Sequence, residues 1–247
     1  MSIAIITGGS RGIGASTALA CAEHGMGVVL TFNANPEAAE KVVEHIRHKG
    51  GQATAAKLDV ADSASFPVFR DDVARRLEKI WNTDRFNFLV NNAGFGQFNP
   101  IASVTEDEFD ALYRVHLKGP FFLTQTLLPL MADGGHIVNI GSATTRVATS
   151  GVAPYASFKG GLEVLTRYMA KEFGNRRIRA NSIAPGAIRT VLGGGLNDEF
   201  EALLAGQTAL GRFGEPNDVG AMIASLLGDD NRWVNAQNIE VSGGYII

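Results

Sequence analysis

The chain has 247 residues, 45% hydrophobic and 19% charged, with 22 basic against 25 acidic side chains and a formal net charge of −3. This composition excludes a disordered polymer, and without a long block of like charge it carries no footprint for nucleic acid. The single cysteine, Cys21, rules out an internal disulfide; with no Cys/His group at zinc-like spacing no metal is expected, and a reducing cytoplasm is the expected compartment.

The N-terminal MSIAIITGG has no basic leader, and its apolar run is too short for a signal peptide or a membrane span; it predicts a buried strand over 3–7, then a helix to about His24. A second strand, GVVLTF (27–32), is followed by the helical PEAAEKVVEHIRHK. ATAAKLDV (53–60) precedes the helix SASFPVFRDDVARRLEKI, and FNFLV (86–90) precedes a long helical region. Within that region GPFFLTQTLLPLM (119–131) reads as a core helix, not a membrane span. HIVNIGS (136–142) leads to a helix opened by YASFK; RIRANSIAPG (177–186) follows, and NIEVSGG (238–244) comes after the helix PNDVGAMIASLLG.

Apolar strands alternating with helices predict a mostly parallel sheet, because parallel neighbours need crossover connections and those connections cover both faces. The expected architecture is one doubly wound Rossmann-type α/β domain over 1–247, with about seven strands. The irregular stretch 187–215 contains the triple glycine Gly193–Gly195 and is expected to form a lid over the substrate.

TGGSRGIG (Thr7–Gly14) follows the first strand and opens the first helix. Glycines let backbone amides approach a pyrophosphate, and a helix N-terminus adds oriented donors. Gly8, Ser10, Arg11, Gly12, Ile13 and Gly14 are therefore candidate dinucleotide contacts, although the spacing is not the usual G-x-G-x-x-G. After the second strand the chain reads TFNAN, with no acid before Glu37 to meet a ribose 2′-hydroxyl, and Arg11 can meet a 2′-phosphate. NADP(H) is favoured over NAD(H).

Tyr155 and Lys159 lie four positions apart and share one face of a helix, a spacing that by itself also fits an ordinary polar face. Ser142 falls at the carboxyl end of a strand, where open α/β sheets bind ligands. The ordered set TGxxxGxG, NNAG (Asn91–Gly94), Ser142, YxxxK and Pro185–Gly186 resembles the short-chain dehydrogenase/reductase family over essentially the whole chain. Within that family the C-terminal segment looks most like 3-oxoacyl-[acyl-carrier-protein] reductases and related sugar or alcohol dehydrogenases.

The resemblance implies an NADP(H)-dependent oxidoreductase interconverting a ketone and a secondary alcohol. Tyr155 would be its acid/base, Lys159 its electrostatic partner and ribose contact, and Ser142 its carbonyl-binding hydroxyl. A 3-oxoacyl thioester, a sugar or a polyol is the expected substrate, and the intact trio argues against a non-catalytic dinucleotide sensor of the same fold. The resemblance also places Asp59 and Val60 at the adenine, Asn91, Ala93 and Gly94 near the adenosine ribose, and Pro185, Gly186, Ile188 and Thr190 at the carboxamide. For Asn91, a purely bracing role in the turn is the alternative.

His116 stands where the family usually has asparagine, supporting a helix kink and a proton route to the lysine. Its titration near pH 6.5 is expected to change the pH profile. The remaining histidines are assigned no chemistry. Arg176 and Arg177 are possible contacts for an acidic carrier protein, a reading that Asp133 weakens, and a homotetramer is the expected assembly.

Overall fold

The computed structural model describes residues 1–190 and 197–247. The elements follow in chain order as β1 (Ile3–Ile6), α1 (Gly12–Glu23), β2 (Gly27–Phe32), α2 (Pro36–His48), β3 (Ala53–Lys57), α3 (Phe66–Trp81) and β4 (Phe86–Asn91). Then come α4 (Glu106–Tyr113), α5 (Gly119–Leu127), β5 (Met131–Ile140), α6 (Ala153–Glu172), β6 (Arg179–Pro185), α7 (Asp198–Gly206), α8 (Pro216–Leu227) and β7 (Asn238–Val241). Among the described residues the strands form a seven-stranded sheet in the order β3-β2-β1-β4-β5-β6-β7, parallel at every pairing. The doubly wound Rossmann-type expectation is borne out. The chain runs outward from β1 to β3, then returns beside β1 as β4 and runs the other way; the crevice at the carboxyl ends of β1 and β4 is the topological switch point.

The central strands β1, β2 and β4 are largely apolar because both faces are covered, and successive residues feed opposite cores. Ala4, Ile6, Val28, Leu30, Val90 and Val138 pack on one face with α1, α2 and α8; Ile3, Ile5, Val29, Leu89 and Ile137 pack on the other with α3, α5 and α6. Helices α1 and α8 approach so closely that a Cβ on Gly220 would lie 2.8 Å from the Thr17 backbone nitrogen. No helix among the described residues is long and apolar enough to cross a membrane.

Two boundaries differ from the sequence reading. The long helical region after β4 is interrupted: Arg114–Lys118 form a π-turn between α4 and α5, closed by the Gly119 amide donating to the Arg114 carbonyl. The helix expected over 119–131 stops at Leu127, and Leu128–Leu130 tighten into a 3₁₀ turn. Pro129 has no N–H for an α-helical bond, and the chain is free to enter β5 at Met131, ahead of the expected start at His136.

Candidate active site

The glycine loop is built for close approach. Gly8 and Gly12 have φ of 65° and 55°, a region side chains disfavour. A Cβ on Gly8 would sit 2.9 Å from Ala93 Cα, and one on Gly14 would strike the Gly8 carbonyl and lie 2.5 Å from Asn92 Nδ2. Helix α1 opens without a side-chain cap and without an acid in its first turn, whereas α2 is capped by Asn35, and α4 and α8 by reciprocal boxes. Its first amides therefore remain available to an anionic ligand, and the loop fits a dinucleotide pyrophosphate. Arg11 is exposed and its side chain has no hydrogen bond or ion pair within the described residues. The segment after β2 is exposed and presents Asn33 and Asn35 rather than an acid. Thr190 reaches the same loop, since a Cβ on Gly12 would lie 3.3 Å from its Cγ2. Ser10 lies half-buried in the loop, and Ile13 directs its side chain into the core.

The carboxyl end of β4 carries a buried polar network and adds residues the sequence did not single out. Asn91 is buried, and its Nδ2 donates to Asn139 Oδ1 at 2.8 Å and Thr124 Oγ1 at 3.3 Å; Asn139 in turn donates to Thr166 Oγ1 at 2.8 Å. Asn91 and Asn139 are register partners on β4 and β5, so this side chain braces the sheet to α5 and α6, the kind of role given above as its alternative. The neighbour, Asn92, faces the glycine loop and donates to the Thr7 carbonyl at 2.8 Å and the Gly8 carbonyl at 3.2 Å. Thr7 Oγ1 accepts from the Asn92 and Ala93 amides, both at 2.9 Å, which stitches β1 to β4 at the crevice. The two-residue period of a strand was the available signal, because adjacent asparagines cannot share a face.

At the end of β3, Asp59 accepts from the Ala61 amide at 2.9 Å, and Val60 is buried. After β6, Gly186 lies against Ser242, while Ile188 bridges Gly214 and packs on the core. Arg189 holds Glu201 and Glu215, the latter at 2.9 Å, so α7 and the base of 187–215 are tied together. The glycines Gly193–Gly195 lie outside the described residues.

Between these elements sit the two hydroxyls and the ammonium. Ser142 follows β5 and is buried at 8% exposure. Its Oγ meets the Thr144 amide at 3.2 Å and the Thr144 hydroxyl at 2.9 Å, and its side chain lies close enough to the Tyr155 phenol to oppose the effect of burial there. Tyr155 and Lys159 are one turn apart in α6, with Lys159 Nζ 5.5 Å from the centre of the Tyr155 ring and donating to the Ile140 carbonyl at 2.5 Å. His116, in the π-turn, stands edge-on to the Tyr155 ring with centroids 5.0 Å apart. Its Nε2 lies 2.8 Å from the Phe95 carbonyl, which can only accept, so Nε2 carries the proton and Nδ1 is a buried acceptor without a partner. A Cβ on Gly94 would lie 2.8 Å from His116 Cε1, so contacts run continuously from the glycine loop through Ala93 and Gly94 to His116 and Tyr155.

The electrostatics differ from the sequence expectation. Burial pushes the Tyr155 phenol up to about 12, and the opposing influence is the hydrogen bond from Ser142 rather than Lys159. Burial also brings Lys159 down to about 7. An ammonium above the ring face, itself half-neutral at pH 7, does not produce a standing phenolate in the chain alone. His116 does not titrate near pH 6.5: burial, then the positive field of Lys159, push it down to about 3, so it is neutral across the working range.

A phenol, a serine hydroxyl and a lysine are thus gathered near the carboxyl ends of the strands, beside the glycine loop. The family model described as enoyl-(acyl carrier protein) reductase matches residues 8–246. The chain belongs to the short-chain dehydrogenase/reductase family. It is 35% identical to the 3-oxoacyl-[acyl-carrier-protein] reductase FabG of Staphylococcus aureus, over 98% of this chain and 96% of that protein. It is 33% identical to versicolorin reductase 1 of Aspergillus parasiticus, over 98% of this chain and 95% of that protein. Among solved structures, the angucycline C-6 ketoreductase LanV with bound NADP superposes with a TM-score of 0.95 at 32% identity, over 99% of this chain and 95% of that one. As a member of the short-chain dehydrogenase/reductase family, the protein is an NAD(P)-dependent oxidoreductase acting between C=O and CH–OH.

Proposed function

We propose that the protein reduces a ketone to a secondary alcohol with NADPH, and that Ser142, Tyr155 and Lys159 carry the proton chemistry. The observation that carries this reading is the Lys159 ammonium lying 5.5 Å from the centre of the Tyr155 ring, with the Ser142 side chain opposing the effect of burial on the same phenol. When bound, the dihydronicotinamide supplies the hydride that reaches the carbonyl carbon. Ser142 donates a hydrogen bond to the carbonyl oxygen and Tyr155 transfers its phenolic proton to it. A phenol held up to about 12 keeps that proton at neutral pH, which favours reduction over alcohol oxidation. Lys159, with its pKa brought to about 7, returns a proton to the phenolate, and the neutral His116 offers Nδ1 as a fixed acceptor in the relay.

The uncapped α1 amides, the positive-φ glycines and Thr190 fit the cofactor, with Asp59, Val60, Ala93, Gly94, Pro185, Gly186 and Ile188 lining the path the resemblance gives it. Arg11, without a partner among the described residues, is the residue for a 2′-phosphate, and the NADP in the LanV structure agrees with that preference. Within the single 1–247 unit, α7 covers the substrate: it buries no residue and exposes Phe200 and Leu203. Phe98 and Ile101, exposed in the segment after β4, favour a substrate with an apolar body over a sugar or polyol. Relatives named for angucycline and versicolorin reduction point the same way.

A carrier-borne thioester is less well supported, because Arg176 is committed to Asp133 at 2.8 Å and to the Leu128 and Met131 carbonyls. The exposed Phe109, Tyr113, Phe121, Phe122, Val164 and Tyr168 of α4, α5 and α6 are the surface for a homotetramer. NADPH consumption with apolar diketones, aromatic ketones, 3-oxoacyl thioesters and sugar lactols tests the substrate class. Turnover of the lactols alone would replace this reading with a sugar dehydrogenase, and none with any panel member would favour a sensor.

A further inference from the structure

A serine hydroxyl has one proton to give and two positions at which to accept. At Ser142 one position is filled by the Thr144 amide at 3.2 Å, a group that can only donate. The Thr144 hydroxyl lies 2.9 Å from the same oxygen and has no other hydrogen bond among the described residues. This second contact can be shared in two ways. If Ser142 donates to Thr144, its proton is held inside the turn and nothing remains to offer a carbonyl. If Thr144 donates, both accepting positions of Ser142 are filled and its proton is left to be given outside the turn. The turn that sets this geometry is anchored: Thr145 Oγ1 lies 3.0 Å from the Ser142 carbonyl and 2.5 Å from Glu163 Oε1 on α6.

We propose that Thr144 is a positioning residue whose amide and hydroxyl together fill the accepting positions of Ser142, leaving the serine proton for a substrate carbonyl. The inference rests on the ketone-reducing role of Ser142 given above. In reduction the freed proton is donated to the carbonyl oxygen; in oxidation, with no carbonyl to meet at the start, it is donated to the Tyr155 phenolate. Ser142 is also the influence that opposes burial at Tyr155.

The test compares Thr144→Val, Thr144→Ala and Thr144→Ser with Ser142→Ala, all as full-length protein with Tm recorded. Losing one neutral hydrogen bond of this kind corresponds to about fivefold to tenfold in rate. Thr144→Val and Thr144→Ala are expected to lower kcat by that factor with KM for NADPH unchanged. Both also move the alkaline-rising limb of alcohol oxidation to higher pH, and Thr144→Ser restores both quantities. Parental kcat and pH limb in Thr144→Val or Thr144→Ala would overturn the proposal. So would a Thr144→Ser variant of parental Tm that is as slow as Thr144→Val. Ser142→Ala separates the two levels: if it turns over like the parent, the reading of the site fails; if it is impaired while Thr144→Val is not, only the positioning role fails.

Discussion

Lowering the pH from 7.5 to 5 should destabilise this protein through two histidines that its interior holds neutral. His116 and His136 are 1% and 0% exposed, and burial takes each from 6.5 to about 3. Both folded values lie below the unfolded value, so the unfolded chain takes up protons that the folded chain refuses. Stability is therefore fully present above about pH 7, falls once the pH drops below 6.5, and stops falling near 3. At about 1.4 kcal/mol per pH unit, each histidine costs about 2 kcal/mol at pH 5, and the pair about 4, a sizeable part of an ordinary domain's 5–15 kcal/mol. Urea unfolding of the parent and of His116→Asn at both pH values measures this. Acidification should cost the variant about half what it costs the parent, whatever the absolute stability of the variant. Carboxylates held low, such as Asp218 at about 2, lose their contribution only at lower pH and do not blur the window. Parallel pH dependences for parent and variant would mean that His116 is protonated, or hydrated, inside the fold.

Other outcomes follow from the same contacts. Gly14→Val should abolish NADPH binding in a fluorescence titration, because the new side chain meets the Gly8 carbonyl and Asn92. Arg11→Ala should raise KM for NADPH by about tenfold to a hundredfold, the range for a charge-assisted contact, and leave KM for NADH nearly unchanged. Equal effects on both cofactors would dissociate Arg11 from the 2′-phosphate. Arg146 on the turn after Ser142 grips Glu240 at 2.7 and 2.9 Å and the Tyr245 and Ile246 carbonyls; Arg146→Gln should lower Tm and raise KM for the ketone. Light scattering should give four times the 26.2 kDa chain mass, and a monomer at working concentration would remove the proposed tetramer.

The fold was legible because a sheet covered on both faces writes itself as short apolar runs, as in β1, β2 and β4, whereas β7 (Asn238–Val241) alternates with exposed Asn238 and Glu240. What local pattern could not supply was the end of each run. Pro129 ends α5 and sends Met131 into β5, and the π-turn at His116 depends on Gly119 lying against the Val60 carbonyl from a distant part of the chain. The site residues were legible as types. Their partners were not, because partners are set by which face of a strand or helix each residue occupies. Asn91 and Asn92 read alike in the sequence, yet one locks the sheet to its helices and the other closes the glycine loop. The pKa values were the least legible: spacing put a cation one turn from a phenol, but only the packed interior reveals that desolvation outweighs it at Tyr155, Lys159 and His116.

The most direct test of the account is single-turnover reduction of an accepted ketone by Tyr155→Phe preloaded with NADPH. A variant that binds NADPH like the parent but reduces the ketone about a hundredfold to ten-thousandfold more slowly is the predicted result, the range for loss of a positioned general acid. Parental rates from a ring without its hydroxyl would contradict it.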